Sequence, residues 1–216
     1  MPSALIVWGG WMGHEPDQVA AILARALENE QFAVTVADTL DVFTDERRVA
    51  ALDLIVPIWT MGTIERHQLR PLLAAVRGGT GIGGVHGGMG DAFRTEPEYQ
   101  FMVGGQWVAH PGGDGVTYQV HIEPVPSAIT AGLSDFTVSS EQYYLQVDPG
   151  NTVLCSTRAG DVVIPVTWTK RYGQGRVFYC SLGHNAAIFD HPDVLTMVTR
   201  GLVWAAGGKQ HAIRSG

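Results

Sequence analysis

The sequence predicts an α/β fold with a mostly parallel central sheet and added antiparallel strands. Three observations lead to this prediction. Short apolar segments alternate with amphipathic ones in the first 85 residues, a strand-rich half follows, and no repeat or linker divides the chain. Strands that alternate with helices pair in parallel and are covered by helices on both faces. We therefore expect a three-layer sandwich.

The first 85 residues give the order β-α-β-β-α-β. The predicted elements are a strand at 4–8, a helix at about 16–28, strands at 32–36 and 54–58, a helix at 65–76 and a strand at 80–85. Gly9 and Gly10 mark the end of the first apolar run. Pro16 suits the first turn of a helix. Pro71 predicts a kink or a late start in the second helix.

The second half of the chain is dominated by predicted strands. The elements are a short helix at 97–103, strands at 116–122, 143–147, 153–157, 164–169 and 176–182, and a closing helix at about 192–206. The YGQG turn at 172–175 predicts a hairpin between the last two strands. We expect one domain over residues 1–208 and a flexible polar tail at 209–216.

Composition and charge narrow the partners. The 216 residues carry a formal net charge of −7 and contain no basic run, so we expect neither nucleic acid nor an anionic membrane as a partner. The chain shows no leader of signal-peptide form and no apolar run of about 18 residues. These features predict a cytoplasmic protein. A homo-oligomer is left open, because no interface signature stands out.

One motif in the chain is misleading. The GTGIGG segment at 79–84 matches the glycine pattern of dinucleotide-binding loops. Such a loop must follow a strand and open a helix, whereas this segment follows a predicted helix and enters a strand. We therefore expect no nucleotide site here. The chain also contains no G-x-S-x-G nucleophile elbow.

Four histidines are predicted to meet at one edge of the sheet. His14 follows the first strand, His86 ends the fourth, and His184 ends the last. Ligands of parallel sheets bind outside the carboxyl ends of the strands, so these three belong to one site. His110 lies on the long connection after the fourth strand and is expected to fold over the same edge.

The segments that carry these residues resemble the ThuA-like, or trehalose-utilisation, family. The resemblance spans nearly the whole chain in order. It rests on GIGGVH at 81–86, VGGQW at 103–107 with HP at 110–111, ITAGLSDF at 129–136 with EQYY at 141–144, PVTW at 165–168, YGQGRVFY at 172–179, LGH at 182–184 and GLVWAAG at 201–207. It implies a flavodoxin-like sandwich of the class I glutamine amidotransferase-like superfamily.

The resemblance also implies a difference in chemistry. Members of that superfamily normally place a cysteine nucleophile on a tight turn after a central strand, with a histidine from a later strand as its partner. Here the turn carries His86, or Gly87 if the alignment slips by one, and His184 matches the partner histidine. Cys155 and Cys180 lie within predicted strands. Glutamine or peptide hydrolysis by a Cys–His pair is therefore not expected.

Three interpretations of the histidine cluster remain open. In the first, His14, His110 and His184 bind a divalent metal such as zinc, which imidazole and carboxylate ligands suit. In the second, a metal-free sugar site uses His86, His184 and Glu141 as catalytic groups. In the third, each histidine only satisfies backbone groups at a strand end.

A carbohydrate ligand is favoured by the aromatic and glycine residues near this edge. Aromatic rings cover the flat apolar faces of sugars, and glycine lets a ligand approach the backbone. The residues expected to contact the substrate are Trp11, His14, Trp59, Gly87, Gly88, Trp107, His110 and Tyr144.

The function that the resemblance implies is an enzyme of carbohydrate catabolism. It would act on a sugar or keto-sugar, trehalose or a related disaccharide derivative, through the histidine-rich site. The alternative is a non-catalytic sugar-binding or accessory protein of a sugar-utilisation operon, since fold does not fix function.

Overall fold

A nine-stranded sheet lies at the centre of the computed structural model, which describes residues 1–209. Its parallel part consists, in order across the sheet, of β2 (Ala33–Ala37), β1 (Ser3–Gly10), β3 (Leu54–Thr60), β4 (Gly81–Val85) and β11 (Gly175–Cys180). Its antiparallel part continues with β10 (Val162–Tyr172), β9 (Thr152–Ala159), β6 (Val116–Ile122) and β7 (Phe136–Ser140). A separate antiparallel pair is formed by β5 (Gly105–Ala109) and β8 (Tyr144–Val147).

Helices cover both faces of this sheet. They are α1 (Pro16–Asn29), α2 (Glu46–Ala51), α3 (Arg66–Arg77), α4 (His86–Gly90), α5 (Pro97–Val103) and α6 (Pro192–Ala206). Ala4 and Ile6 of β1 belong to the buried cluster that includes α1 and α6, whereas Leu5 and Val7 belong to the cluster that includes α3 and α5. A strand that is buried on both faces needs apolar residues at every position, which explains the continuous run in β1.

The predicted α/β fold, with a mostly parallel sheet and added antiparallel strands, is confirmed. The hairpin of β10 and β11 is present, with register pairs from Thr167–Cys180 to Tyr172–Gly175. Residues 81–84 of the glycine motif lie in β4, after α3, as the context of the motif predicted.

Several local details differ from the prediction, and helices α2 and α4 are among the elements that were not predicted. The proline at position 71 lies inside α3 without ending it. The carbonyl that loses its helical donor there belongs to His67, which is exposed and can be hydrated. Strands β5 and β7 were not predicted, because β7 alternates buried Phe136, Val138 and Ser140 with polar residues and has no apolar run.

The C-terminal end of the described chain is attached to the domain. The Nζ atom of Lys209 donates hydrogen bonds to the carbonyl oxygens of Ala50 and Leu52, at 2.6 and 2.5 Å. The tail predicted at 209–216 thus begins with an anchored residue, and positions 210–216 lie outside the described residues. Within residues 1–209, no helix has the length and apolar character that crossing a lipid bilayer requires.

The topology determines where the functional side chains meet. Strands β1, β3, β4 and β11 are parallel neighbours, so their carboxyl ends lie along one edge of the sheet. His14 follows β1, His86 follows β4, and His184 follows β11. Strand β5 contributes Trp107 to this edge, and the connection between β7 and β8 contributes Glu141.

Candidate functional site

The structure brings together the four histidines that were predicted to meet at one edge of the sheet. The ring centroids of His14 and His86 lie 4.6 Å apart, those of His14 and His184 5.1 Å, and those of His86 and His184 5.4 Å. The His110 ring joins them from the β5 side, 3.7 Å from the same carboxylate that the others surround. We call His14, His86, His110, His184 and Glu141 the histidine cluster.

His86 occupies the sharp turn between β4 and α4 with a strained backbone. Its φ of 46° lies in the left-handed region, which costs a non-glycine residue about 1–3 kcal/mol. The backbone carbonyl accepts a hydrogen bond from the Tyr179 hydroxyl at 3.0 Å, and the ring stacks on Tyr143 at 3.8 Å. These contacts hold the fully buried imidazole in one orientation.

Glu141 is the centre of the histidine cluster. It follows the last residue of β7, and the Tyr118 hydroxyl donates to its carbonyl oxygen at 3.0 Å. Its Oε2 atom lies 3.1 Å from Nε2 of His86, 3.4 Å from Nδ1 of His184 and 3.8 Å from Nε2 of His14. One buried carboxylate oxygen therefore faces three imidazole nitrogens.

The protonation states of the cluster follow from burial and from these contacts. Burial, together with charge on His86 and His184, lowers the pKa of His14 to about 3. Burial alone would raise the pKa of Glu141, but the hydrogen bond and charge of His86 outweigh it and bring the pKa to about 2. Burial also lowers the pKa of His86. At neutral pH, His14 is therefore neutral and Glu141 is an anion.

Several ring nitrogens in the cluster have no partner. Nε2 of His14, Nδ1 of His110 and Nδ1 of His184 are buried and form no hydrogen bond with the described residues. The opposite nitrogens have partners: Nδ1 of His14 lies 2.9 Å from the Thr60 hydroxyl, and Nε2 of His184 lies 3.5 Å from an oxygen of Asp114. Buried polar groups without partners are rare in folded proteins and indicate a missing ligand or ion.

The donors of the cluster can hold a metal. One ligand atom each from His14, His86, His184 and Glu141 lies within 4.8 Å of all the others. The ligand set predicted from the sequence was His14, His110 and His184. In the structure, His110 lies outside the converging group, since its nearest approach to Glu141 is to the other carboxylate oxygen.

A cavity of about 140 Å³ opens beside the cluster. Its walls combine aromatic and polar side chains: Trp11, His14, Met61, Asp91, Arg94, Trp107, His110, Glu141 and Tyr143. Arg94 forms two hydrogen bonds with the carboxylate of Asp91, at 2.6 and 2.8 Å, and its guanidinium lies 4.6 Å from the Trp107 ring centroid. Of the histidines, His14 and His110 reach the cavity, whereas His86 and His184 lie behind Glu141.

Two of the residues predicted to contact substrate, Trp59 and Tyr144, do not line the cavity. Tyr144 belongs to β8 and is exposed outside the cavity, and its neighbour Tyr143 forms the wall instead. Trp59 does not line the cavity, because its ring is packed against Gly9 and Gly62.

The two turn glycines, Gly87 and Gly88, are needed for close packing against protein neighbours. A Cβ atom on Gly87 would lie 2.8 Å from the His14 ring, and one on Gly88 would lie 2.9 Å from Cα of Ile58. Both glycines therefore allow α4 to approach its protein neighbours closely.

Sequence reasoning missed four residues of the cavity wall: Met61, Asp91, Arg94 and Tyr143. Two of them carried a usable signal. Asp91 and Arg94 follow the glycine turn at the carboxyl end of β4, which is the edge of the sheet where His86 was predicted to lie. Their spacing of three residues also favours an ion pair.

The two cysteines are inert structural residues. Cys155 and Cys180 are fully buried. Burial raises the pKa of their thiols to about 12 and about 11, respectively. The Cys155 sulfur contacts the Met197 sulfur at 3.4 Å, away from the histidine cluster. The expectation that neither cysteine acts as a nucleophile agrees with this placement.

A larger surface hollow of about 710 Å³ lies along α2 and α3. It is lined by Glu46, Arg47, Ala50, His67, Arg70, Pro71, Ala74 and Ala75. None of the buried, unpartnered side-chain atoms found in residues 1–209 belongs to it. We therefore place the site at the histidine cluster.

Comparison with known proteins gives one family and several structures. The family model described as ThuA, trehalose utilisation, matches residues 3–205. No curated protein matches the chain. Among solved structures, a ThuA-like protein from Parabacteroides merdae ATCC 43184 aligns with a TM-score of 0.79 and 19% identity, covering 96% of this chain and 91% of that one.

Two further structures are similar. A ThuA-like protein from Bacteroides uniformis ATCC 8492 aligns with a TM-score of 0.79 and 14% identity, covering 94% of this chain and 91% of that one. A protein from Salmonella typhimurium LT2, described as cytoplasmic, aligns with a TM-score of 0.72 and 12% identity, covering 94% and 99%. At these identities the likeness concerns the fold alone.

Proposed function

The chain belongs to the ThuA family of trehalose utilisation, and from this premise we propose that it is an enzyme of carbohydrate catabolism that acts on a sugar or keto-sugar. The observation that carries the proposal is the position of Glu141. A buried anion, ringed by imidazoles with unpartnered nitrogens, forms one wall of an aromatic cavity. Such groups can move protons on a bound polar ligand.

The cavity suits one sugar ring. Trp11, Trp107 and Tyr143 present flat apolar surfaces that match the C–H faces of a pyranose. Polar partners for hydroxyl groups are close: the ion pair of Asp91 and Arg94, and the buried indole N–H of Trp107, which has no partner among the described residues. Its volume of about 140 Å³ is small for a disaccharide, since pockets for larger ligands measure about 300 Å³ or more. We expect the second ring to lie outside the mouth.

We assign His110 as the proton acceptor. Its side chain is 38% exposed and lines the cavity, and its Nδ1 atom lies 3.7 Å from Oε1 of Glu141. A carboxylate on one ring nitrogen stabilises the imidazolium that forms when the other nitrogen takes a proton.

For a keto-sugar, the step is removal of a proton from the carbon next to the carbonyl. The C–H bond breaks, its electron pair moves to the carbonyl oxygen as an enolate, and the proton passes to Nε2 of His110. The guanidinium of Arg94 at the cavity wall favours the negative charge on that oxygen. In an isomerisation, the proton of the neighbouring hydroxyl moves to the enolate oxygen and His110 returns its proton to the former carbonyl carbon. In an elimination, the enolate reforms the carbonyl, its electron pair makes a new C=C bond, and the β-substituent leaves with its bonding pair.

A non-catalytic sugar-binding role is the second candidate. The observation that favours it is the turn at His86, where a buried histidine stands in the place of the superfamily nucleophile. Calorimetric titration of the full chain with trehalose and with its 3-keto derivative, followed by product analysis, separates the two. Binding with conversion supports an enzyme, binding without conversion supports the accessory role, and failure to bind either sugar overturns both.

A further inference from the structure

The inner nitrogens of the histidine cluster converge on one oxygen atom of Glu141. Nδ1 of His86 lies 2.7 Å from the carbonyl oxygen of Ser181, and because a carbonyl only accepts, this nitrogen carries the ring proton. In the neutral imidazole, Nε2 then presents a lone pair to Oε2 of Glu141 at 3.1 Å. A proton or a metal cation between these two atoms would join them.

The same arrangement recurs at the other two inner histidines. Nδ1 of His14 faces the Thr60 hydroxyl and Nε2 of His184 faces Asp114, which leaves the opposite nitrogens directed at Glu141. Metal-bound histidines have this pattern, because an outer hydrogen bond fixes the ring while the inner nitrogen binds the ion. Three histidines from three different loops share it around one carboxylate oxygen.

The distances from the nitrogens to the carboxylate oxygen are close to those around a small divalent ion, within a group that spans up to 4.8 Å. With bonds of 2.0–2.1 Å, neighbouring ligands of tetrahedral zinc lie about 3.3 Å apart. The three nitrogens lie 3.1, 3.4 and 3.8 Å from Oε2 of Glu141. We propose that Nε2 of His14, Nε2 of His86, Nδ1 of His184 and Oε2 of Glu141 bind one divalent transition-metal ion, of which zinc is the first to test.

This metal site would serve the proposed carbohydrate reaction. His14 and Glu141 line the cavity, so a bound ion has one side directed at the ligand. When bound, it would supply a Lewis acid for a hydroxyl or carbonyl oxygen. Glu141 would connect the two parts of the site, with Oε2 on the metal and Oε1 facing His110. Only this role rests on the proposed function, since metal binding is measured without sugar.

The test uses the untagged full chain. Metal content is measured by mass spectrometry after purification without chelator, and metal-free protein is then titrated with Zn²⁺ by calorimetry in competition with a chelator. We expect one site per chain. Co²⁺ bound at this site should show the visible absorption that is typical of cobalt with a low coordination number. Loss of an outer partner already weakens metal binding about 10–100-fold, so His184→Ala and Glu141→Gln should weaken it at least about 100-fold.

His67→Ala is the matched control, because His67 is exposed on α3, outside the histidine cluster. It should bind Zn²⁺ like the wild type. Circular dichroism shows whether each variant is folded, and the Co²⁺ spectrum of the wild type tests the site without any variant. The proposal is overturned if the wild type shows no saturable binding of Zn²⁺ or Co²⁺, or if both folded ligand variants bind as it does. A chain that binds metal but converts no sugar contradicts only the proposed function.

Discussion

Nε2 of His86 lies 3.1 Å from Oε2 of Glu141, although the proton of the His86 ring is held by the carbonyl oxygen of Ser181 at 2.7 Å. In the neutral ring, Nε2 of His86 thus points a lone pair at a buried carboxylate. The carbonyl of Ser181 and the stacked ring of Tyr143 hold it in this orientation. Glu141 is consequently the residue on which both the proposed chemistry and the proposed metal site depend.

The first prediction concerns the charge of Glu141. Glu141→Gln keeps the shape of the side chain but removes the anion that faces the cluster. Conversion of a keto-sugar should fall by about 100-fold or more, as for other losses of an acid–base group. Steady-state rates for wild type and variant provide the measurement. Glu98→Gln, on the surface beside Arg77, is the control and should keep full activity.

His110 should affect turnover more than stability. Its side chain is 38% exposed, so His110→Asn removes little buried surface and should shift the melting temperature by only about 1–2 °C. As the proton acceptor, however, its loss should lower kcat about 100-fold. Steady-state kinetics give kcat and KM for wild type and variant, and thermal melting gives the stability of each. An unchanged kcat in the folded variant would assign the base to another residue.

Acid should destabilise the metal-free protein through His14. Its pKa is about 3 in the folded chain, first because of burial and then because of charge on His86 and His184, against 6.5 as the ordinary value. Between these values the unfolded chain binds a proton that the folded chain does not. The stability that neutral His14 contributes is therefore complete above pH 6.5 and is lost as the pH falls, by about 2 kcal/mol from pH 6.5 to 5.

Urea denaturation at several pH values, in the presence of a chelator, measures this slope. His86, His184, His110 and Glu141 all face the His14 ring, and His86, whose pKa burial also lowers, adds to the same trend. His14→Gln should flatten the slope. An identical slope in the variant would show that acid acts through other groups.

The cysteines should not react in the folded protein. Burial raises the pKa of Cys155 to about 12 and that of Cys180 to about 11, so few thiolates form at pH 8. Iodoacetamide should label neither residue until urea is added, as judged by mass spectrometry. Labelling of the native protein together with loss of activity would favour cysteine chemistry instead.

The convergence of His14, His86 and His184 could be predicted from the sequence. Each follows a strand of the parallel part, and the carboxyl ends of parallel strands share one edge. Glu141 could be named only by the family resemblance, since β7, which positions it, has no apolar run. Its role as the centre of the cluster required the structure.

The choice between Tyr143 and Tyr144 could not be made from the sequence. The alternation that assigns faces in a strand stops after Ser140, because residues 141–143 connect β7 to β8 outside any strand. A shift of one position then exchanges the wall residue for the exposed one. The packing of His14 against Gly87 was hidden for a related reason: which side chain fills the space beside a glycine depends on a distant loop.

The measurement that tests the proposed chemistry most directly is hydrogen exchange on a keto-sugar. The full chain is incubated in D₂O with the 3-keto derivative of trehalose, and proton NMR follows the C–H groups next to the carbonyl. If His110 removes a proton, one such signal should disappear at least about 100-fold faster than in buffer. The folded Glu141→Gln variant should not accelerate this exchange. Saturable binding of the keto-sugar with exchange at the buffer rate would contradict the enzyme and leave the sugar-binding role.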